Sequence, residues 1–130
     1  QKLLPAIAAG RYDLPWVRDL ARDHGSAEEL VRQLLKKLGR QGAVFQVVKD
    51  LFYAAAQVDA LAALIAELAA QAERGEVEAA AFRDATGLGR KRAIQLLEFF
   101  DRVGFTRRVR DQHLLRPGTS LFDNNGSSQD

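Results

Sequence analysis

The 130-residue sequence contains no cysteine and no methionine, and only one tryptophan and three prolines. Without cysteine there is no disulfide framework, no thiolate nucleophile and no thiolate metal ligand. No apolar run approaches the roughly 18 residues of a membrane span and no signal-peptide pattern is present, so a reducing cytoplasm is the expected compartment and no membrane is an expected partner. Methionine is missing even at position 1, as expected of a fragment. The two histidines, His24 and His113, lie far apart and neither has a second ligand at metal spacing, so a surface or turn role is expected for both. No carboxylate pair, Ser/His arrangement or phosphate loop stands out, and neither an enzyme nor a bound cofactor or metal is expected. "GLGRKR" (87–92) lacks the third glycine of a dinucleotide fingerprint and follows a helical stretch instead of a strand.

What is present is 47% hydrophobic and 28% charged, the composition of an ordered globular chain. The net charge of +2 hides an uneven distribution. Residues 1–60 carry nine Lys/Arg and seven Asp/Glu, residues 61–89 two and five, residues 90–116 eight and three, and the last fourteen none and two. A block of +5 that opens on a helix start is the strongest electrostatic feature of the sequence.

The chain also repeats itself. "GRYDLPWVRDLARDHG" (10–25) and "GEVEAAAFRDATGLG" (75–89) share a starting Gly and an Arg-Asp pair, Arg18-Asp19 against Arg83-Asp84, at an offset of 65. Further on, Leu34, Leu35, Leu38, Gly42 and Val47 match Leu96, Leu97, Phe100, Gly104 and Val109 at an offset of 62, which predicts three extra residues after the first copy's Arg-Asp helix. Each copy reads as a short extended piece, a helix, a turn, a longer helix ending at a Gly, and two short strands. In the second copy Ala93, Leu96, Leu97, Phe100 and Val103 share one helical face. Phe105 and Val109 would then share the core face of a strand, with Thr106, Arg108 and Arg110 on the other side and "RDQH" (110–113) as the hairpin tip.

Helix, turn, helix and β-hairpin describe a winged helix, so the expected fold is mainly α with small β-hairpins: tandem winged-helix modules. Module 1 would span 1–57, incomplete at its N-terminus, module 2 58–116, and a flexible tail 117–130. The alanine-rich stretch with Leu61, Leu64, Ile65 and Leu68 supplies the first helix of module 2, with Asp59 as a candidate cap. Trp16 and Tyr12, flanking Pro15 at a helix start, suit core packing or a hydrophobic staple better than base stacking.

The copies differ where a helix-turn-helix meets its target. The first begins its long helix with "SAEE", a capping box in which Ser26 and Glu29 would satisfy the free backbone donors. The second begins with Arg90, Lys91 and Arg92, which add to the positive helix end where backbone N–H groups point outward. That end calls for an external anion. Lys91 lies opposite the Leu97/Phe100 face, with Arg90 and Arg92 on its flanks, and Arg108 and Arg110 add cations on the wing. Arg107 is set aside because its strand parity points to the core.

The stretch "DATGLGRKRAIQLLEFFDRVGFTRRVRDQHLL" (84–115) resembles the end of the bacterial selenocysteine-specific elongation factors, whose C-terminal region is a string of winged helices. Gly-x-Gly-Arg-Lys-x-Ala-Ile followed by "LLEFFD" carries the likeness, which extends to about Arg116 and not onto the tail. The resemblance implies the last two winged helices of a translation factor that brings selenocysteinyl-tRNA to a UGA codon followed by an mRNA hairpin. GTPase and tRNA-binding domains, with GTP and magnesium, would lie upstream.

The final winged helix would hold the hairpin, through the positions that match here: Arg90, Lys91, Arg92, Arg108 and Arg110. Because an A-form groove does not admit a helix, such a module would grip the backbone and read unstacked loop bases. Lys36, Lys37 and Arg40 in module 1 leave a second contact to RNA or to the ribosome open. A monomer is expected. Two other readings stay open: a DNA-binding transcriptional regulator with Arg90 or Lys91 in a major groove, and a protein-binding winged helix.

Overall fold

The computed structural model describes Leu3 and residues 11–117, and divides the chain into two compact units, 1–58 and 59–130. The expected tail at 117–130 lies, apart from Pro117, outside the described residues.

In the first unit α1 (Val17–Asp23) buries Val17, Leu20 and Ala21 on one stripe. It is started by Asp19, whose carboxylate accepts the Trp16 backbone N–H at 3.2 Å, and closed by His24, whose Nδ1 donates to the Leu20 carbonyl at 2.9 Å. Gly25, at φ 63, turns the chain towards α2 (Glu28–Arg40), which buries Val31 and Leu35. Strands β1 (Val44–Val48) and β2 (Leu51–Ala54) then form an antiparallel hairpin with Lys49-Asp50 at its tip. All four β2 residues are buried. The Tyr53 hydroxyl donates to the Tyr12 carbonyl, while Gln57 accepts from Ala54 N at 3.0 Å and donates to Arg11 O at 2.7 Å, so the segment before α1 is fastened to the end of the hairpin.

Helix α3 (Ala55–Gln71) carries the chain across the division and buries Leu61, Ala62, Ile65 and Ala69. It begins four residues ahead of Asp59, directly after β2, so Asp59 is an interior helical residue and not the cap expected of it. The second unit continues with β3 (Glu76–Glu78), α4 (Ala79–Thr86), α5 (Arg90–Arg102), β4 (Thr106–Val109) and β5 (Gln112–Leu115). Its sheet has the order β3-β5-β4, all antiparallel, against two strands in the first unit. The core gathers Phe82 from α4 with Ala93, Leu96, Leu97, Phe99 and Phe100 from α5. Phe100 stands between Phe99 and Phe105, with ring centroids 5.2 and 5.6 Å apart.

Both units are winged helices, as the sequence patterning predicts, but three details differ. First, Val17 and Ala79, Gly25 and Gly87, and Glu28 and Arg90 are all 62 residues apart, so no three-residue insertion follows α1. Arg18-Asp19 and Arg83-Asp84 are not equivalent, because the first pair sits in the opening turn of α1 and the second one turn further along α4. Second, Val103 is 44% exposed as the residue closing α5, and Phe99 takes the core place assigned to it. Third, the hairpin tip is only Arg110-Asp111, since Val109 pairs with Gln112 and Arg108 with His113. His113 is therefore a strand residue, 6% exposed, and neither a surface nor a turn histidine.

Candidate nucleic-acid interface

The start of α5 is built as its sequence suggests. Gly89 precedes the helix without a side-chain cap, and no acid stands in the first turn. Arg90 and Lys91 are exposed, whereas Arg92 is half-buried and is not a free cation. Three positive side chains against the positive helix end cost stability, each by about 0.3–1 kcal/mol where exposed, unless an anion arrives from outside.

The equivalent end of α2 has no cap either, which corrects the capping box expected there. Ala27, not Ser26, precedes the helix, so Glu29 falls one position short of the residue that could reach back. Ser26 Oγ turns to the His24 carbonyl at 3.4 Å, and Glu29 accepts from Arg32 at 2.6 Å and from Gln33 at 3.3 Å. The two helix starts therefore differ in charge and not in capping, because Glu28 and Glu29 suit the helix dipole where Arg90 and Lys91 oppose it.

The wing of the second unit departs from the expected parity. Gly104, at φ 87, turns the chain before β4; Phe105 is buried as expected, but Thr106, expected on the outer side, is buried next to it, and the rest of β4 is exposed. Thr106 is fully buried and donates to Asp101 Oδ1 at 2.6 Å, and His113 Nδ1 approaches the same carboxylate at 2.9 Å. Asp101, near the end of α5, thus satisfies two buried polar groups of the wing. Arg107 and Val109 are exposed, so the reason for setting Arg107 aside fails and it joins the cationic surface.

Arg108 is exposed but occupied, donating through Nε to the Arg110 carbonyl at 2.8 Å, with Asp111 3.7 Å away. Arg110 holds the hairpin tip at φ 59, a backbone region where glycine is the usual occupant. In the first unit Lys36, Lys37 and Arg40 are all exposed along α2.

One further cation stands at the site. Between α4 and α5 a hollow of about 180 Å³ is lined by Ala79, Ala80 and Ala93 and bordered by Arg83 and Arg90. Arg83 entered the sequence argument only as a repeat marker; its position seven residues before Arg90, across the turn that folds α4 onto α5, is the signal that would have found it. Another hollow of this unit, about 540 Å³, is lined by Glu73, Glu76 and Glu78 beside Arg74 and would repel phosphate. Among the described residues no cluster of His, Asp or Glu could hold a metal ion, and no helix is long and apolar enough to cross a membrane.

In the first unit Arg32 grips the wing tip, with Nε and a terminal nitrogen 2.8 and 3.0 Å from the Asp50 carboxylate. This fork, joined by Glu29, holds the guanidinium firmly protonated and lowers the Asp50 pKa below its ordinary value of 3.8.

Comparison with known proteins gives one family for both units. Residues 6–53 match the selenocysteine-specific elongation factor winged helix domain, and residues 69–115 match elongation factor SelB, winged helix. The chain is 46% identical over 101 residues to the selenocysteine-specific elongation factor of Escherichia coli (strain K12), and 40% identical over 108 residues to that of Haemophilus influenzae. Those alignments cover 78% and 83% of this chain but only 16% and 17% of the relatives, so the chain spans about a sixth of their length. A solved structure, the mRNA-binding domain of elongation factor SelB from E. coli in complex with SECIS RNA, superposes with a TM-score of 0.75 at 45% identity. That likeness covers 78% of this chain and 83% of the other. With both winged helices matched in order, the chain belongs to the selenocysteine-specific elongation factors, as a segment of their winged-helix region.

Proposed function

We propose that this chain binds an mRNA hairpin through its second winged helix, with the start of α5 and the β4–β5 wing as the contact surface. Arg90 and Lys91 supply free cations at an uncapped helix end, Arg110 and Arg107 supply them on the wing, and Arg108 and Arg92 contribute while tethered within the fold. The observation that carries this reading is the start of α5, cationic and without any acceptor, in a chain similar to a SelB domain that was solved with SECIS RNA. RNA is favoured over DNA because the cations are spread over helix start and wing instead of running along one groove-entering helix face. Lys36, Lys37 and Arg40 offer a second contact, to the hairpin backbone or to the ribosome.

By the same likeness the parent protein would deliver selenocysteinyl-tRNA at UGA in the cytoplasm, with GTP and magnesium bound by other domains. This segment would act as a monomeric RNA-binding module without catalysis or a cofactor of its own. Four to six phosphate contacts predict that log affinity for the hairpin falls against log salt with a slope of about −3 to −5. Anisotropy of a labelled SECIS hairpin, titrated at several salt concentrations with duplex DNA as competitor, measures it. A flat salt dependence, or equal competition by DNA, would overturn the proposal.

A further inference from the structure

The chain's only tryptophan, Trp16, lies in the first unit and is not among the residues proposed above to hold the hairpin. It is half-buried, and it lines a hollow of about 430 Å³ together with Arg18, Glu28, Lys49 and Asp50. That size falls within the roughly 300–1,000 Å³ of clefts that take small ligands. Three segments meet there: the start of α1, the start of α2 and the wing tip. They are held in place, since Val17 N donates to the Asp50 carbonyl at 2.9 Å and Arg32 clamps the Asp50 carboxylate.

The charges around the hollow are not equally available. Asp50 is engaged twice by Arg32, and Glu28 lies 3.8 Å from the same guanidinium, so the acidic half of the lining is answered from within the unit. Arg18 and Lys49 are exposed, and neither side chain has a hydrogen bond or ion pair to another described residue. An aromatic face flanked by two such cations is the combination by which single strands are held, with bases on the ring and phosphates on the cations. In the second unit Glu78 and Ala80 stand at the positions 62 residues on, so neither the ring nor the cation is repeated. Sequence alone favours packing for Trp16, and the residue does have a partner within the described residues; its half-burial beside a hollow leaves it partly exposed to a ligand as well.

We propose that this hollow binds one nucleotide of single-stranded RNA, the base stacked on Trp16 and the adjoining phosphates held by Arg18 and Lys49. The inference rests on the chain's being an RNA-binding segment, but it uses none of the residues assigned to the hairpin.

Because Trp16 is the sole indole, its fluorescence reports on the site directly. Titrating the intact chain with an adenosine octanucleotide at low salt should quench it saturably. The Arg18→Ala/Lys49→Ala variant, altered only at exposed positions, should weaken that binding by about fivefold or more. Trp16→Phe should retain more of the affinity for a labelled octanucleotide than Trp16→Ala, with circular dichroism confirming that both fold. Absence of quenching, quenching by inorganic phosphate or a glutamate octapeptide as strong as by the oligonucleotide, or indifference to the double substitution would each overturn the proposal. Arg90→Ala/Lys91→Ala separates the two sites: it should weaken hairpin binding by about thirtyfold or more and leave the quenching unchanged. Quenching in a chain that never binds the hairpin would sink the proposed function and leave this site standing.

Discussion

Helices α1 and α4, α2 and α5, and strands β1 and β4 begin 62 residues apart, and neither long helix has a side-chain cap, yet the two units spend their charges differently. In the first, Glu28 and Glu29 sit at the positive helix end and share Arg32, whose fork also fixes the wing tip through Asp50. The acids, the cation and the wing form one closed network at the surface. In the second, Ile94 replaces Arg32, the wing is fastened from beneath by Asp101, Thr106 and His113, and the cations at the helix start are left facing outward. With the wing fastened from inside, no surface ion pair between helix start and wing tip is needed, as it is in the first unit. The same backbone thus carries a helix start whose charges are paired within the unit and one whose exposed cations are not, according to where its ion pairs are made.

The largest effect should come from removing the outward charge. Arg90→Ala/Lys91→Ala is expected to cost about 2–6 kcal/mol of hairpin binding, 1–3 for each cation on a phosphate or base, without lowering the melting temperature. Arg92 is left alone because its half-buried stem packs within the unit. Glu28→Ala/Glu29→Ala in the first unit should leave hairpin affinity unchanged and lower stability by up to about 1 kcal/mol, through the helix dipole and the Arg32 contacts. Anisotropy and thermal melts of the two variants test both halves. If the glutamates proved to be the binding determinant, the contrast between the units would collapse.

How far this contrast is visible in the sequence depends on what carries it. The winged-helix order, the second offset of the repeat and the cationic helix start are local patterns, and they read correctly. Side-chain partners across elements are not local. Ser26 and Glu29 have the spacing of a capping box, but a shift of one residue in the helix start and the pull of Arg32 send both elsewhere. His113 looks like a turn residue until Asp101 draws it inside, and Arg107 looks inward only if the strand begins one residue early. The Asp101–Thr106–His113 cluster, where polar residues fill a core position, leaves no periodic trace at all.

That cluster gives the second expectation. Asp101→Ala strands a fully buried threonine hydroxyl and a buried histidine, and should destabilise the second unit by about 2–4 kcal/mol. Its equivalent in the first unit is Gly39, where no such network exists. Chemical denaturation monitored by circular dichroism would show the loss. A change below about 0.5 kcal/mol would mean that water, not Asp101, satisfies these groups.

The fork in the first unit should contribute less, because both partners reach solvent, with Arg32 21% and Asp50 27% exposed. Arg32→Met keeps the aliphatic packing and should lower the melting temperature slightly at neutral pH. The sign of its pH dependence follows from Asp50, whose folded pKa is depressed chiefly by the hydrogen bonds from Arg32. Stabilisation from such a group is complete above the ordinary carboxylate value of 3.8 and is lost as the pH falls through the lower folded value. The gap between parent and variant melting temperatures should therefore close in strong acid. A gap that is as wide at low pH as at neutrality would show that the fork does not set it.

The smallest effect, and the one that best separates binding from folding, is expected at the wing tip of the second unit. Arg110 occupies φ 59, where a side chain is strained by about 1 kcal/mol and glycine is not. Arg110→Gly relieves that strain but adds freedom to the unfolded chain, a cost of about 0.5–1 kcal/mol, so stability should stay within about 1 kcal/mol of the parent. The Arg108 side chain keeps its acceptor, because it bonds to the backbone carbonyl of residue 110. Only the cation is lost. If the tip touches phosphate, hairpin affinity should fall by about 1 kcal/mol, roughly fivefold, and the salt slope should shrink by about one phosphate. The Asp50 tip of the first unit, at φ 64 with a side chain committed to Arg32, offers no comparable exchange. Equal affinity and an equal salt slope in Arg110→Gly would remove the wing from the interface and leave the start of α5 to bind alone.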